Sequence, residues 1–418
     1  MAITSAVCVS AILAFFLLSL HYAYRDRDIF QPISVINIVL LFIFVMRPAQ
    51  LVISGSVHSF LFFRLYGFVY GAGELVDLPF DVALMLGAIG MGSVNTAYWF
   101  ARARAGNPRL VFRYVAIAAQ ERKRVRSFIN VYIAFALVIW TYYIYRAVAG
   151  LPHSTVDILW IYIFCVVVML QQLMDTRLEV RNYWILILSI LSFSLLATRQ
   201  YIVNLLLCTV VPYIYIRGGK VNLRTILLGF VIIFVVVWYG AIRGGTALTV
   251  STVFERLVGE FSMFDALVLA LKHKATFGEP YYLGYNYLSL FNYIIPGVDI
   301  EFFDFMHTRV LFGGYVGGGT PTSLVGSLYL NFSYVGVVVG CGLLGLFVAR
   351  KYNKYALMRS NLSIAYYAML VTFTYDILRV GDISRELINY FILFGCFEVG
   401  RKLVQQKRPG SRRGQQAL

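Results

Sequence analysis

Four arginines stand where the charge pattern of the chain does not ask for them: Arg199 in TRQYIVN, Arg243 in AIRGG, and Arg379 and Arg385 in DILRVGDISREL. Each lies at or beside the end of a long apolar run. Arginine carries a planar, always-charged fork that grips phosphate oxygens in pairs. A ring of such forks at one membrane face suits the pyrophosphate of a lipid-linked substrate whose acyl tail stays in the bilayer. The competing reading is structural: Arg379 can pair with Asp376 or Asp382, and Arg385 can snorkel to the interface. For one arginine alone the two readings balance; the set of four favours phosphate chemistry.

A second group lies between Arg243 and Thr320, the one long interruption in a series of apolar segments, which holds seven of the 20 acidic residues. Its possible acid/base groups are Glu279, Asp299, Glu301, Asp304 and His307. Transfer of a sugar to a hydroxyl needs a base for the hydroxyl proton, and His307 with Asp304 is the first choice for that catalytic role. Aromatics crowd 277–305, among them Tyr281, Tyr285 and Tyr287, whose ring faces suit stacking on sugars; an interfacial aromatic belt explains most of them equally well. The stretch opens with the capping-box pattern Thr252-x-x-Glu255 and apolar spacing through Val268. That pattern predicts a helix over 251–272 on the membrane interface or capping the bundle, with Glu255, Arg256, Glu260 and Asp265 mostly off its apolar face. GGYVGGGT (313–320) lacks the GK[ST] of a nucleotide-phosphate loop, and its glycines suit a tight turn. The five cysteines sit in apolar runs without metal-ligand or CxxC spacing, so neither a disulfide framework nor a zinc site is expected.

The elements that must position these residues are membrane helices. The chain is 60% hydrophobic and 13% charged, whereas soluble domains are about 45–50% apolar and about 25% charged. An all-α polytopic membrane protein is expected, with about eleven spans at 3–22, 29–46, 81–100, 128–148, 157–173, 183–198, 200–216, 224–242, 322–349, 361–378 and 386–403. The sixth and seventh nearly abut and read as a tight hairpin or a broken pair. The first lacks a preceding basic residue, which argues for a retained span rather than a cleaved signal. The face carrying loop 101–127 collects 25 Lys/Arg against 6 Asp/Glu, and the opposite face 11 against 14. By the positive-inside rule the first face is cytoplasmic, placing the N-terminus outside and the C-terminus inside. The net charge of +16 is then topological, and nucleic acid is not expected as a partner. The organisation reads as a bundle over 1–242, an extracytoplasmic loop over 243–321, further spans over 322–403, and a basic cytoplasmic tail over 404–418 that can touch anionic headgroups of membrane lipids.

PYYLGYNYLSLFNYIIPG (280–297) and GGGTPTSLVGSLYLNFSYVGVVVG (317–340) resemble the late periplasmic loop and following helix of the Wzy-type polymerases of bacterial oligosaccharide repeat units. The matching positions are Gly284, Tyr285, Ile295, Pro296, Gly317, Gly318, Gly319, Ser323, Tyr329, Asn331, Phe332 and Gly336. Arg199, Arg243-Gly244 and Arg385 match basic residues at helix ends in that family. Two positions depart from it: Gly297 stands where a basic residue often follows the Ile-Pro, and Ser327 where an acid often precedes the Asn by one turn. The resemblance implies a GT-C-like bundle and a metal-independent glycosyltransferase in the bacterial inner membrane. It would move a growing glycan from undecaprenyl pyrophosphate to an incoming lipid-linked repeat unit. The four arginines would stabilise the leaving pyrophosphate. A chain-length regulator and a flippase are implied as partners.

Two alternatives remain. An O-antigen ligase uses the same donor with lipid A core as acceptor, and only the Tyr-x-Asn-Phe helix favours a polymerase. A lipid-linked oligosaccharide flippase, a transporter, would want ionisable residues at mid-membrane; here the charges gather at span ends.

Overall fold

The computed structural model describes residues 2–26, 28, 30–53, 79–108, part of 123–149, 199–216, 258, 261–272, 283–293, 295, 297–298, 300–301, 306–307, 321–358 and 361–405. The described residues are helical, with no strand among them. Among the described residues, four helices are long and apolar enough to cross a membrane: Ile3–Asp26, Pro32–Val52, Phe80–Arg104 and Ser323–Ala356. The chain divides into two compact units.

The first unit comprises Met1–Val111, Asn222–Met358 and Leu370–Ile388. It contains α1 (Ala2–Asp26), α2 (Pro32–Leu41), a π-helical turn (Phe42–Met46) leading into α3 (Arg47–Ile53), and α4 (Phe80–Arg104). Proline at the first position of α2 fits there because it needs no N–H partner. Near the middle of the bundle Asn37 of α2 and Asn95 of α4 exchange amide hydrogen bonds of 3.0 and 2.8 Å. Buried amides must find partners inside an apolar bundle, so this pair fixes the register of α2 on α4.

The ninth expected span, 322–349, is not one straight helix. Helical geometry runs over Ser323–Met358 but breaks at Phe332 (φ −139°, ψ 17°) and Ser333 (φ 60°, ψ −157°). The arms on either side, 323–331 and 334–358, form α5a and α5b, and they double back on each other. A Cβ placed on Gly90 of α4 would lie 2.8 Å from Val325 Cγ2 and 3.4 Å from Cys341 Sγ, though a straight helix would hold those two residues about 24 Å apart. A Cβ on Gly336 would lie 2.5 Å from the Leu328 carbonyl oxygen, and one on Gly340 2.5 Å from Leu328 Cδ2. Glycine one turn apart on α5b therefore opens the groove that α5a fills. Glycine 345 similarly admits the backbone of α4 at Val94. Because Gly90, Val94 and Ala101 of α4 meet Val337, Gly345 and Asn353 in that order, α5b runs parallel to α4. The arm α5a runs the other way, towards the Phe80 end.

The expected 251–272 helix is described over Met263–Lys272 (α6), and it lies inside the bundle. Met263 through Ala270 are all buried, including Asp265 with no exposed surface. Asp265 receives both arms of the Arg47 fork, the Nε–Oδ1 bond being 3.0 Å, while Arg47 Nη1 donates to Gln50 Oε1 at 2.8 Å. Phe264 packs on Phe44 and Phe80, and Phe261 on Phe42. Reading α6 by its apolar stripe alone places Asp265 towards a polar surround; the ion pair with Arg47 is what lets that carboxylate sit in the core.

At the Arg104 end a second buried cluster ties three helices. Arg102 donates to Asn353 Oδ1 at 2.7 Å and to the Pro108 carbonyl at 2.6 Å, lies 3.5 Å from Asp26 Oδ2, and stacks over Tyr352 at 4.6 Å. Tyr352 in turn donates to Asp28 at 2.8 Å.

The second unit comprises Phe112–Val221, Arg359–Met369 and Asn389–Leu418. It holds α7 (Arg199–Ile216), which carries Pro212, and parts of α8 (Asn361–Val380) and α9 (Ile383–Gln405). Aromatic contacts hold it: Tyr215 meets Tyr367 edge to face at 5.3 Å, and Tyr366 meets Phe394 and Phe397.

Two outcomes are expected. Val325→Cys, in a chain whose only other cysteine is Cys341, should form a disulfide under copper-phenanthroline oxidation, read as loss of both alkylatable thiols from the single tryptic peptide 310–350 that carries them, restored by reduction; a straight span keeps both thiols free. Arg47→Ala or Asp265→Ala should lower stability in detergent by about 3–5 kcal/mol, because each leaves a buried charge unpaired. The double replacement Arg47→Met with Asp265→Leu should recover most of that loss in the same thermal unfolding measurement.

Candidate functional site

The arm α5a, the turn between α8 and α9, and a 3-10 helix from the long loop meet in the first unit. The 3-10 helix spans Tyr285–Tyr293. Its approach bends through Leu283 (φ 47°) and Gly284 (φ +81°), and the Gly284 N–H donates to Asn331 Oδ1 at 3.1 Å. The buried Asn331 amide donates back to the Ser327 carbonyl one turn earlier, at 2.8 Å. One side chain thus serves both the end of α5a and the entry of the loop. Asn292 closes the far side: its amide donates to the Ile300 carbonyl at 2.6 Å and accepts the Ile300 N–H at 2.8 Å, tying the end of the 3-10 helix to Ile300.

Tyr287 links all three elements. Its hydroxyl lies 3.2 Å from Ser327 Oγ on α5a, its ring is 6.0 Å from Phe332 at the helix break, and its carbonyl accepts from Ser384 Oγ on α9 at 2.8 Å. Burial pushes its phenol up to about 12, with the Ser327 hydrogen bond pulling in the opposite direction. The phenol is therefore neutral over the physiological range. Ser327, at the position where the resembled family often carries an acid, here supplies a neutral hydroxyl to Tyr287.

The α8–α9 turn sits against the start of α5a. Gly381 has φ +75°, and a Cβ there would collide with the Ser323 carbonyl. Asp382 caps α9: its Oδ1 accepts the Arg385 N–H at 3.1 Å and its carbonyl the Glu386 N–H at 3.0 Å. Arg385 Nε lies 3.4 Å from Glu386 Oε1, with the arginine side chain 20% exposed. On the other side of the turn the half-buried Arg379 lies over the Tyr375 ring at 6.0 Å. Two guanidinium groups thus flank a turn that packs on the same arm as Tyr287.

The other expected site residues are distributed as follows. Tyr285 is 58% exposed, and with Leu283, Leu288, Phe291 and Ile295 it leaves an apolar surface on the loop open. His307 is fully buried in a helical turn at 306–307. Arg199 begins α7 in the second unit. Arg243, Tyr281 and Asp304 lie outside the described residues. No group of three or more His, Cys, Asp or Glu side chains suited to a metal ion occurs among the described residues.

Sequence reasoning singled out Arg379 and Arg385 and named Asp382 only as an ion-pair partner; it missed that Asp382 caps α9 and that Gly381 and Ser384 hold the turn in place. The signal was present: a glycine followed by Asp, then Ser, just before an apolar run is a turn leading to a helix cap. It also passed over Arg47, whose partner is 218 positions away and invisible to local spacing. Comparison of the chain with protein-family models, with curated proteins and with solved structures yields no match.

Gly381→Ala should destabilise more than Gly297→Ala. Both introduce a side chain at positive φ, at about 1–2 kcal/mol, but Gly297 has nothing within 4 Å of the added methyl, whereas Gly381 meets the Ser323 backbone. Thermal unfolding of the two variants in the same detergent checks this, and equal shifts would contradict the packing of the turn on α5a.

Proposed function

We propose that this chain is a Wzy-type membrane glycosyltransferase that polymerises oligosaccharide repeat units carried on undecaprenyl pyrophosphate. The observation that supports this reading best is that the 381–382 turn, flanked by Arg379 and Arg385, packs at Gly381 and Ser384 on the arm and loop that carry the family-like residues Gly284, Ser323, Asn331 and Phe332. In this reading the bundle has about eleven spans and a GT-C-like architecture, with its N-terminus outside and its C-terminus in the cytoplasm of a bacterium. The site then opens at the outer face of the inner membrane.

The reaction balances without a metal or a cofactor. An acceptor hydroxyl of the incoming repeat unit attacks the anomeric carbon of the donor's reducing-end sugar. The new C–O bond forms as the bond from that carbon to the pyrophosphate oxygen breaks. The hydroxyl proton passes to a base, for which His307 with Asp304 is the candidate, and undecaprenyl pyrophosphate leaves with the bonding pair. Charge grows on the leaving oxygen, and Arg379 and Arg385, with Arg199 and Arg243, supply fixed positive charge to it. Tyr285 offers an exposed ring to the glycan, with Tyr281 and Tyr287 as further glycan contacts; the neutral Tyr287 phenol also holds the loop on α5a. A chain-length regulator and a flippase are the natural partners of such an enzyme.

Arg385→Ala and Arg243→Ala should leave the protein in the membrane yet reduce chain extension by about 10²–10³. The measurement is gel analysis of surface glycan from a deletion strain carrying each variant. Single-repeat caps are the expected pattern. Bare core with accumulated lipid-linked polymer would instead identify a ligase, and normal long chains from both variants would reject the pyrophosphate role.

A further inference from the structure

At the end of the bundle away from the α8–α9 turn, α4 and α5b form a cleft of about 430 Å3 lined by Phe100, Ala101, Arg104, Leu346, Arg350 and Asn353, with Ala105 at its rim. The two helices run parallel here, so the last turn of α4 brings Arg104 beside Arg350. Both side chains are exposed, and among the described residues neither has an acidic partner. The contrast with Arg102, two residues away, is informative. Arg102 is fully buried, and its charge is answered by Asp26, Asn353 and the Pro108 carbonyl. Asn353 is committed to that cluster, so it closes the cleft floor and leaves Arg104 and Arg350 facing outward.

Along the helix axis the surface changes character in the order a lipid requires. Val335, Val338, Val339 and Leu343 of α5b are 70%, 48%, 53% and 60% exposed, and Phe100 of α4 is 64% exposed. Arg104 follows one turn beyond Phe100, and Arg350 about two turns beyond Leu343. Two like charges held together, with no counter-charge among the described residues, attract an anion, and the apolar wall above them is in place for acyl chains.

We infer that this cleft binds a membrane phospholipid with a net-negative headgroup, its phosphodiester held between the guanidinium groups of Arg104 and Arg350 and its chains lying along Phe100, Leu343 and Leu346. Arginine suits the task because its fork meets two phosphate oxygens at once. This site rests on geometry alone and stands whether or not the chain polymerises glycans.

The test uses the full chain purified in dodecyl maltoside, with dioleoylphosphatidylglycerol, dioleoylphosphatidylcholine or inorganic phosphate added. Binding is read as one-to-one adducts by native mass spectrometry and as a shift in melting temperature. Phosphatidylglycerol should bind and stabilise, with phosphatidylcholine and phosphate doing neither. Affinity should fall roughly fivefold for Arg104→Gln or Arg350→Gln and about thirtyfold for both together. Lys402→Gln, an exposed charge in the second unit, should leave affinity unchanged and serves as the folding and net-charge control. Equal binding of the two lipids, an unaffected double variant, a Lys402→Gln loss as large as that of the double variant, or equal stabilisation by phosphate alone would each overturn the assignment.

Discussion

The approach of α5a to α5b governs the rest of the first unit. Helices normally pack with axes about 8–10 Å apart, and a Leu328 carbonyl at the position of a Gly336 Cβ means that here the backbones come closer than side chains usually allow. Remove that freedom and the short arm swings away from α4. With it go the Ser327 hydroxyl, the Asn331 amide and the Ser323 carbonyl, which receive Tyr287, Gly284 and the Gly381 turn. Two glycines therefore stand behind a polar cluster they do not touch. The positive φ of Ser333 is part of the same economy: a reversal this tight needs one residue outside the usual regions, and a small side chain carries it.

Charge inside the bundle obeys a second constraint. Arg47 with Asp265, and Arg102 with Asp26, are ion pairs whose members are almost without solvent. Desolvation consumes much of the attraction in such pairs, so they are poor sources of net stability, though costly to halve. What they supply is placement. An apolar helix face can slide or rotate on its neighbour at little cost, but a fork that must meet one carboxylate cannot. The first pair sets α6 against α3; the second sets the far ends of α1, α4 and α5b. The Asn37–Asn95 amides do the same between them.

How much of this could be read from the chain follows from what each signal encodes. Hydropathy reports the medium, and it located α1, α4, α7, α8 and α9 to within a few residues, because lipid and protein interior both reward apolar surface. It is blind to direction, so 322–349 read as one crossing. The missed clue was GVVVG (336–340): glycine at a four-residue interval announces close backbone approach, and a partner arm only a few residues upstream was one of the available answers. Helical periodicity assumes a wet face and a dry face, which is why Asp265 was assigned to the former. The arginines flanking 381–382 were legible by charge sign, since a cation on the acidic side of the chain needs a reason. The turn that holds them was legible only as punctuation.

The doubled-back arm also separates two quantities that are easily equated, the number of apolar helices and the number of bilayer crossings. The pair α5a and α5b contains two helices, yet it carries the chain across in one net direction. Parity, on which the placement of both termini rests, is unchanged by the reversal. Biogenesis is not indifferent to it. Insertion machinery that weighs hydropathy along the emerging chain receives 323–349 as a single uninterrupted apolar stretch. The reversal rests on contacts with α4 and on the two glycines, so it is completed against an α4 that precedes it in the chain. Order of assembly is thus written into this stretch along with its shape.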